Sequence, residues 1–341
     1  MHRLPSVHIV SGSFGAGHDG AAAELARRLR EHGHTVHRHD FVDVLPGRAG
    51  VLLRGLYRRQ LTYAPRSWGW LLALGGPATG LTVAADDAML AAVGPDAGLV
   101  VSTYPLASQV LGRLRRQGRL HAPVATYLTD LSVHPAWVAG GVDVHLALHE
   151  DAARQAKELG ATDVRVVAPA VRPEFARTGP PPAGLPARGP RALVVAGAWG
   201  VGAVERAALD IAGTGLAVPV VACGRNDALR RRLNRSGRVA ALGWVDDMPA
   251  LLRACHVVVQ NAGGLSSLEA LTAGVPVVTY RCLPGHGATN AEVLDRIGWV
   301  PWLRDRASLA AGLRAALGRG DRFTPSPVLP ETVLTELAVT A

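Results

Sequence analysis

The stretch HVVVQNAGGLSSLEAL (residues 256–271) decides the fold. Its opening residues, His256–Gln260, are an apolar run of strand length, and Ser267–Ala273 reads as the helix that follows. Between them, Gly263 and Gly264 lack a Cβ, so the backbone can approach a ligand closely. Ser266 or Ser267 is placed to cap the helix. Open N–H groups and the positive end of the helix dipole at this point suit a diphosphate. Glu269 falls one turn in, within reach of ribose hydroxyls. An ordinary capped strand–helix turn has the same local look, so the reading depends on its surroundings.

In both directions from this junction, short apolar runs alternate with amphipathic stretches. The first half predicts strands at Val7–Ser11, Thr35–Phe41, Gly98–Ser102, Val124–Leu128, Val142–Leu148 and Val164–Val167, with helices at Asp19–His32, Thr82–Val93, Leu106–Gln117 and Glu150–Leu159. In the first helix Ala22, Leu25, Ala26 and Leu29 recur at helical spacing and form one apolar face. A break follows at TGPPPAGLPARGP (178–190), where five prolines and three glycines in thirteen residues hold neither helix nor ladder. The alternation then restarts. Strands are predicted at Ala192–Ala196, Val218–Ala222, Val239–Ala241, Val257–Gln260 and Val275–Tyr280, and helices at Val204–Ile211, Asp227–Asn234, Met248–Arg253, Asn290–Arg296 and Ala307–Leu317. Alternation of this kind predicts an α/β protein of two Rossmann-like, doubly wound domains facing a cleft. The expected boundaries are 1–170, a linker at 171–190, a second domain at 191–320 and a tail at 321–341, with a short helix over Pro330–Thr340.

Composition narrows the classes. The 341 residues are 48% apolar, which excludes disorder as the main state, and no run of about 18 uncharged apolar residues offers a membrane span. Met1–Val10 has no apolar run of signal-peptide length. Cys223, Cys255 and Cys282 are too few and too scattered for a disulfide framework or a zinc site, which fits a cytoplasmic setting. Lys157 is the one lysine among 36 basic residues, so arginine supplies the net charge of +9. Arginine pairs bidentately with phosphate, and a cationic surface is drawn to anionic lipid. Aromatic residues, at 5%, are too sparse for a base-stacking platform, so no nucleic-acid partner is expected.

Further motifs fall at predicted strand ends. VVAGAWGVG (194–202) is a second strand–glycine junction, and Gly197 and Gly200 bring more N–H groups toward the same phosphates. SGSFGAGH (11–18) lacks both the Gly-Lys-Ser/Thr of a Walker loop and the glycine spacing of a dinucleotide site. Its distinctive residue is His18, at the mouth of a helix whose dipole disfavours the imidazolium, so a neutral, proton-accepting ring is expected. TDLSVHPAW (129–137) sets Asp130, His134 and Trp137 at a strand's carboxyl end, and LPGHGATN (283–290) is a polar loop suited to a hydroxylated ligand. His32, His34, His37 and His39 read as a solvated edge, because no companion cysteine or spaced carboxylate accompanies them. No Asp-x-Asp pair occurs, which removes the usual metal–diphosphate clamp, and no metal is expected. Arg54, Arg58, Arg59, Trp68 and Trp70, set among aliphatic residues, suit docking on an anionic bilayer.

GAGHDGAAAEL (15–25), TDLSVHPAW (129–137), GWVDDMPALLRACHVVVQNAGGLSSLEALTAGVPVV (243–278) and PGHGATNA (284–291) together resemble one group of GT-B glycosyltransferases. These are the monogalactosyldiacylglycerol synthases and processive diacylglycerol glucosyltransferases, with the lipid-linked N-acetylglucosaminyltransferase of peptidoglycan synthesis as a more distant relative. The resemblance implies that residues 1–170 take the acceptor and residues 191–320 the nucleotide sugar. Asn261, Gly263, Gly264, Leu265, Ser266 and Ser267 would hold the diphosphate, Glu269 the ribose, and Trp244 and Val245 the base edge. Gly285, His286, Thr289 and Asn290 would touch the donor sugar, and His18 would sit beside the acceptor hydroxyl. Plant galactolipid synthases carry an Asp a few residues before this histidine, and Ser13 stands there in this chain. The base is then His18 or Asp130, with His134 in the same catalytic group.

The implied reaction is an inverting, metal-independent hexosyl transfer, without cofactor, from a nucleoside diphosphate sugar (UDP-linked on this reading) to a lipid hydroxyl such as that of diacylglycerol. The implied place is the cytoplasm, peripheral on the inner face of the cell membrane. Rival readings are transfer to a soluble or natural-product acceptor, a UDP-sugar 2-epimerase acting on the bound donor alone, and a non-enzymatic sugar-nucleotide-binding protein.

Overall fold

In a computed structural model, described over residues 4–13, 16–45, 47, 50, 52, 55, 82–177, 185–186, 188–195, 202–261, 264–318 and 323–340, the apolar runs become strands of two parallel sheets. The first holds β1 (Ser6–Ser11), β2 (Val36–Asp40), β3 (Ala97–Ser102), β4 (Val124–Tyr127), β5 (Val144–Ala147) and β6 (Val164–Val166), in the order β2-β1-β3-β4-β5-β6. The second holds β7 (Arg191–Val195), β8 (Val218–Ala222), β9 (Ala240–Leu242), β10 (Val257–Gln260), β11 (Val277–Tyr280) and β12 (Trp302–Leu303). Its order, β12-β11-β10-β7-β8-β9, is the Rossmann order. Every residue of β4, β5, β10 and β11 is buried, as strands covered by helices on both faces must be. That is why their sequence is mostly apolar and not an alternation of apolar and polar residues. The predicted α/β class and its two doubly wound sheets are thus observed.

In the first unit the helices are α1 (Ala16–Glu31), α2 (Phe41–Val44), α3 (Asp86–Val93), α4 (Pro105–Arg116) and α5 (Glu150–Glu158). In the second they are α6 (Val204–Thr214), α7 (Asp227–Arg235), α8 (Met248–Arg253), α9 (Leu265–Thr272), α10 (His286–Arg296) and α11 (Arg306–Leu317). Ala22, Leu25, Ala26 and Leu29 form the fully buried face of α1 that their spacing predicts. The chain divides at Ala170/Val171 and again at Thr324/Pro325, so the closing helix α12 (Pro330–Thr340) belongs to the first unit. There α12 packs on α1 and β3, with Leu334 buried, Glu331 on Arg28 at 3.3 Å and Thr335 on the His34 ring at 3.1 Å. A buried leucine of this kind is worth about 2–5 kcal/mol against alanine. Its docking place is a long-range property that local sequence does not carry. Among the described residues no helix is long and apolar enough to cross a membrane.

Several expectations are corrected. Residues 171–177, read as the start of a linker, are part of the second unit: a 3-10 turn, Pro173–Ala176, buries Phe175 and packs on α8 and α9. Residues 178–184 and 187 lie outside the described residues. The histidines at 32, 34, 37 and 39 are not a uniformly solvated edge. His34 is buried, with Nδ1 on the Pro5 carbonyl at 3.0 Å, and His39 lies 3.0 Å from the His8 ring that also stacks on His37. Strand β12, only two residues long, was not predicted, because Pro301 breaks the short apolar run Trp299–Leu303.

One buried group in the first sheet sets a pH limit. His145, on β5, is 1% exposed and neither ring nitrogen has a hydrogen-bond partner. Burial pushes its pKa down to about 4, offset only in part by the main chain and carboxylate of Asp163. The unfolded chain takes up this proton near pH 6.5 and the folded chain near pH 4, so stability falls as pH drops through that window. The expected loss from His145 alone is about 2 kcal/mol at pH 5. Urea unfolding of His145→Met at pH 7 and pH 5 should show a correspondingly smaller drop than wild type. An equal drop in both proteins would remove His145 as its source.

Candidate active site

Parallel sheets bind ligands at strand carboxyl ends, where neighbouring strands send their connections in opposite directions. In the first sheet that place is the β1/β3 pair, and His18 is there. Helix α1 starts at Ala16, three residues earlier than expected, so His18 stands inside its first turn. Its Nδ1 lies 2.8 Å from the Thr103 carbonyl, just past β3, and 2.8 Å from the Thr129 hydroxyl, just past β4. A carbonyl only accepts, so Nδ1 carries the proton of the neutral ring and the lone pair is on Nε2. The Thr103 hydroxyl in turn donates to the His18 carbonyl at 3.2 Å.

The loop that presents this carbonyl is held from below. Thr126 donates to Ser108 at 3.0 Å, Ser108 to Ser102 at 2.9 Å, and Ser102 to the Tyr104 carbonyl at 2.8 Å, all from fully buried side chains. Tyr104 and Trp137 wall the imidazole, with ring centres 5.4 and 6.0 Å away. Asp130 accepts the Trp137 indole N–H at 2.8 Å, and His134 Nδ1 caps the turn Pro135–Trp137 by accepting from the Ala136 N–H at 3.2 Å. Asp130 and His134 therefore both serve the turn that sets Trp137 beside His18. Ser13 donates to Asp19 at 2.9 Å, and Ser11 donates to the same carboxylate at 2.8 Å.

In the second sheet the corresponding pair is β7/β10. Three strand-end loops meet there. A Cβ on Gly202, beyond β7, would lie 2.8 Å from Asn261 Nδ2, beyond β10, and 2.9 Å from Leu283, beyond β11. The Leu283 N–H also donates to the Asn261 carbonyl at 2.6 Å. The expected serine cap on α9 is corrected. Gly264, at φ +99°, occupies the cap position and no side chain bonds the first turn. Only glycine takes that backbone readily, and its lack of a side-chain acceptor leaves the first N–H groups open to a ligand. Leu265 and Ser266 are half-buried in that turn, and Ser267 is buried with its hydroxyl unbonded. Glu269 follows, its carboxyl pushed up to about 7 by burial against the opposing pull of the Arg172 charge.

The polar loop behaves likewise. Gly285, at φ +78°, caps α10, which begins at His286, one turn before the predicted start. Thr289 is exposed and donates to the Gly285 carbonyl at 3.2 Å, while Asn290 is buried. Trp244, beyond β9, is 53% exposed, with the Arg225 guanidinium 4.8 Å over its ring and Val245 half-buried beside it. Gly197, Gly200 and Gly263, and the basic–aromatic set Arg54, Arg58, Arg59, Trp68 and Trp70, lie outside the described residues. Sequence reasoning missed Thr103 and Tyr104. The STYP run (102–105) beyond the β3 run was the available signal, but nothing local shows that β3 is the neighbour of β1.

Two α/β units, each with a polar site at its strand ends, define a two-domain Rossmann-like protein, and comparison with solved structures gives the GT-B fold. The chain aligns with the glycotransferase of kitacinnamycin at a TM-score of 0.62 and 16% identity, covering 99% of this chain and 94% of that one. With Acinetobacter baumannii MurG the TM-score is 0.56 at 16% identity, over 99% of this chain and all of that one. Residues 18–168 match the family model of monogalactosyldiacylglycerol (MGDG) synthase, and residues 200–318 that of glycosyl transferases group 1. A processive diacylglycerol beta-glucosyltransferase of Bacillus thuringiensis (strain Al Hakam) is 25% identical, over 93% of this chain and 87% of its own. The chain is thus similar to glycosyltransferases over each of its units, and is a hexosyltransferase.

Gly12 gives a direct test of the histidine's setting. A Cβ there would fall 2.6–2.8 Å from three ring atoms of Tyr104, a buried side chain whose own peptide continues the Thr103 carbonyl. Gly12→Ala should displace Tyr104, lower the transfer rate at least tenfold and cost about 1–3 kcal/mol of stability, read as a lower melting temperature in a protein that still folds. A wild-type rate would detach the Tyr104 segment from His18 function.

Proposed function

We propose that this protein transfers a hexose from a UDP-linked sugar to the hydroxyl of a diacylglycerol-like lipid, with inversion at the anomeric carbon. The observation that carries the reading is the Thr103 carbonyl on His18 Nδ1, which directs the basic nitrogen outward as Nε2. Nε2 takes the acceptor proton, the acceptor oxygen bonds to the anomeric carbon, and the bond to the diphosphate breaks with its electron pair leaving on the nucleotide. On this reading the first turn of α9 would receive that charge through main-chain N–H groups. One such preorganised donor is typically worth about 2.7–4 kcal/mol of barrier. On this reading no metal is required, and added EDTA leaves the rate unchanged.

Glu269 would accept the ribose hydroxyls, Trp244 and Val245 would border the base, and Gly285, His286, Thr289 and Asn290 would face the hexose. The lipid acceptor is supported by the family matched over the first unit and by the activity in the Bacillus relative's name. Peripheral docking on the anionic inner face of the cell membrane follows from that acceptor and from the net charge of +9.

His18→Ala should lower kcat by about 10²- to 10⁴-fold while leaving UDP affinity unchanged. Because Glu269 ionises near pH 7, UDP affinity should rise as pH passes upward through that value, and Glu269→Gln should flatten the dependence. Calorimetry with UDP between pH 6 and 8, together with mass spectrometry of diacylglycerol incubated with UDP-glucose or UDP-galactose, checks both. Product formed only from soluble acceptors, or an epimerised sugar without any acceptor, would overturn the proposal, as would unchanged turnover in His18→Ala.

A further inference from the structure

A carboxylate that no sequence motif marks lies beneath the polar loop of the second unit. Asp210, on α6, is 3% exposed and has both oxygens engaged. Its Oδ2 accepts from the Tyr280 hydroxyl at 2.9 Å and from Arg281 Nε at 2.7 Å, and its Oδ1 accepts from Arg306 Nε at 2.6 Å. Each guanidinium adds a second contact, so both arginines grip the carboxylate through two nitrogens. Tyr280 is the last residue of β11, Arg281 the first beyond it, and Arg306 the first of α11.

Arg281 has φ +49°, the one non-glycine residue with positive φ among those described. An L side chain holds this backbone only where its surroundings impose it. From here the chain runs through Leu283, which donates to the Asn261 carbonyl, to Gly285 and α10. The loop is therefore pinned at two points: Leu283 to the loop beyond β10, and Arg281 to Asp210. Of the two arginines only Arg281 leads into it; Arg306 is 75% exposed and starts a different helix.

We propose that Asp210, acting through Arg281, is a positioning residue for the loop 282–290, aiming it so that the hexosyl part of the donor is held. The inference rests on the donor-sugar reading of that loop. It predicts a separation between the two halves of the donor, because the diphosphate and base are met elsewhere.

The test uses the full chain with UDP-glucose and UDP-galactose as donors and UDP as the sugar-free probe. Arg281→Ala and Asp210→Asn should raise the KM of the preferred UDP-hexose at least tenfold, with UDP affinity by calorimetry changed less than threefold. Asp210→Glu should recover part of the loss. Arg306→Ala removes an equal charge from the same carboxylate without touching the loop, and it should leave the KM within threefold of wild type. This pair of arginine variants decides the matter even where Asp210→Asn does not fold. A UDP affinity that falls in step with the KM, equal effects of the two arginine variants, or a wild-type KM in Arg281→Ala would each overturn the inference. Wild-type protein that binds UDP but neither UDP-hexose would overturn the donor-sugar reading itself, and the inference with it.

Discussion

A parallel strand ends with peptide groups that its own sheet leaves unpaired. Where two neighbouring strands send their connections in opposite directions, no helix covers those groups. Both units of this chain are built around such a place, β1/β3 in the first and β7/β10 in the second. His18, Thr103 and Tyr104 meet at the former, and Gly202, Asn261 and Leu283 meet at the latter. The chemistry follows from the topology. A carbonyl at the end of β3 becomes the acceptor that fixes the tautomer of His18, and a glycine cap at the end of β10 leaves a helix start open.

The two sites stabilise their reactive groups by different means. In the first unit neutral groups do the holding: a carbonyl, a threonine hydroxyl, a directed chain of buried hydroxyls and two aromatic walls. Neutral partners fix a ring's orientation without adding charge beside it. The second unit uses ions more freely, with Asp210 gripped by two arginines and Glu269 opposed by Arg172. Charges buried this way need nearly complete hydrogen bonding to be tolerated, and Asp210 has it. Burial alone would raise its carboxyl, but the bonds from Arg306, Tyr280 and Arg281 hold it below the usual range.

Most of the fold was legible because apolar runs of strand length are hard to read otherwise when flanked by glycine. Met248–Arg253 and Val257–Gln260 fall within the predicted bounds, and most other elements differ by only a few residues at an end. Failures have a common cause. The starts of α9 and α10 were misplaced because a glycine at positive φ caps each of them, whereas serine looked like the better cap for α9 and the polar run before Asn290 read as loop. Strand pairing was invisible, so Thr103 could not be joined to His18, nor Arg281 to Asp210. The burial of His34 was missed for the same reason, since the helix that covers it lies some 300 positions away.

That helix, α12, has a consequence for how the molecule comes into being. The first unit draws its final layer from residues made only after the whole second unit has been assembled on the ribosome. The nascent chain therefore holds a half-dressed sheet, with the α1 surface that will receive Leu334 and Glu331 still wet, while its neighbour is already free to fold. The unit that bears His18 is thus completed only after the second unit, once the residues of α12 have been made.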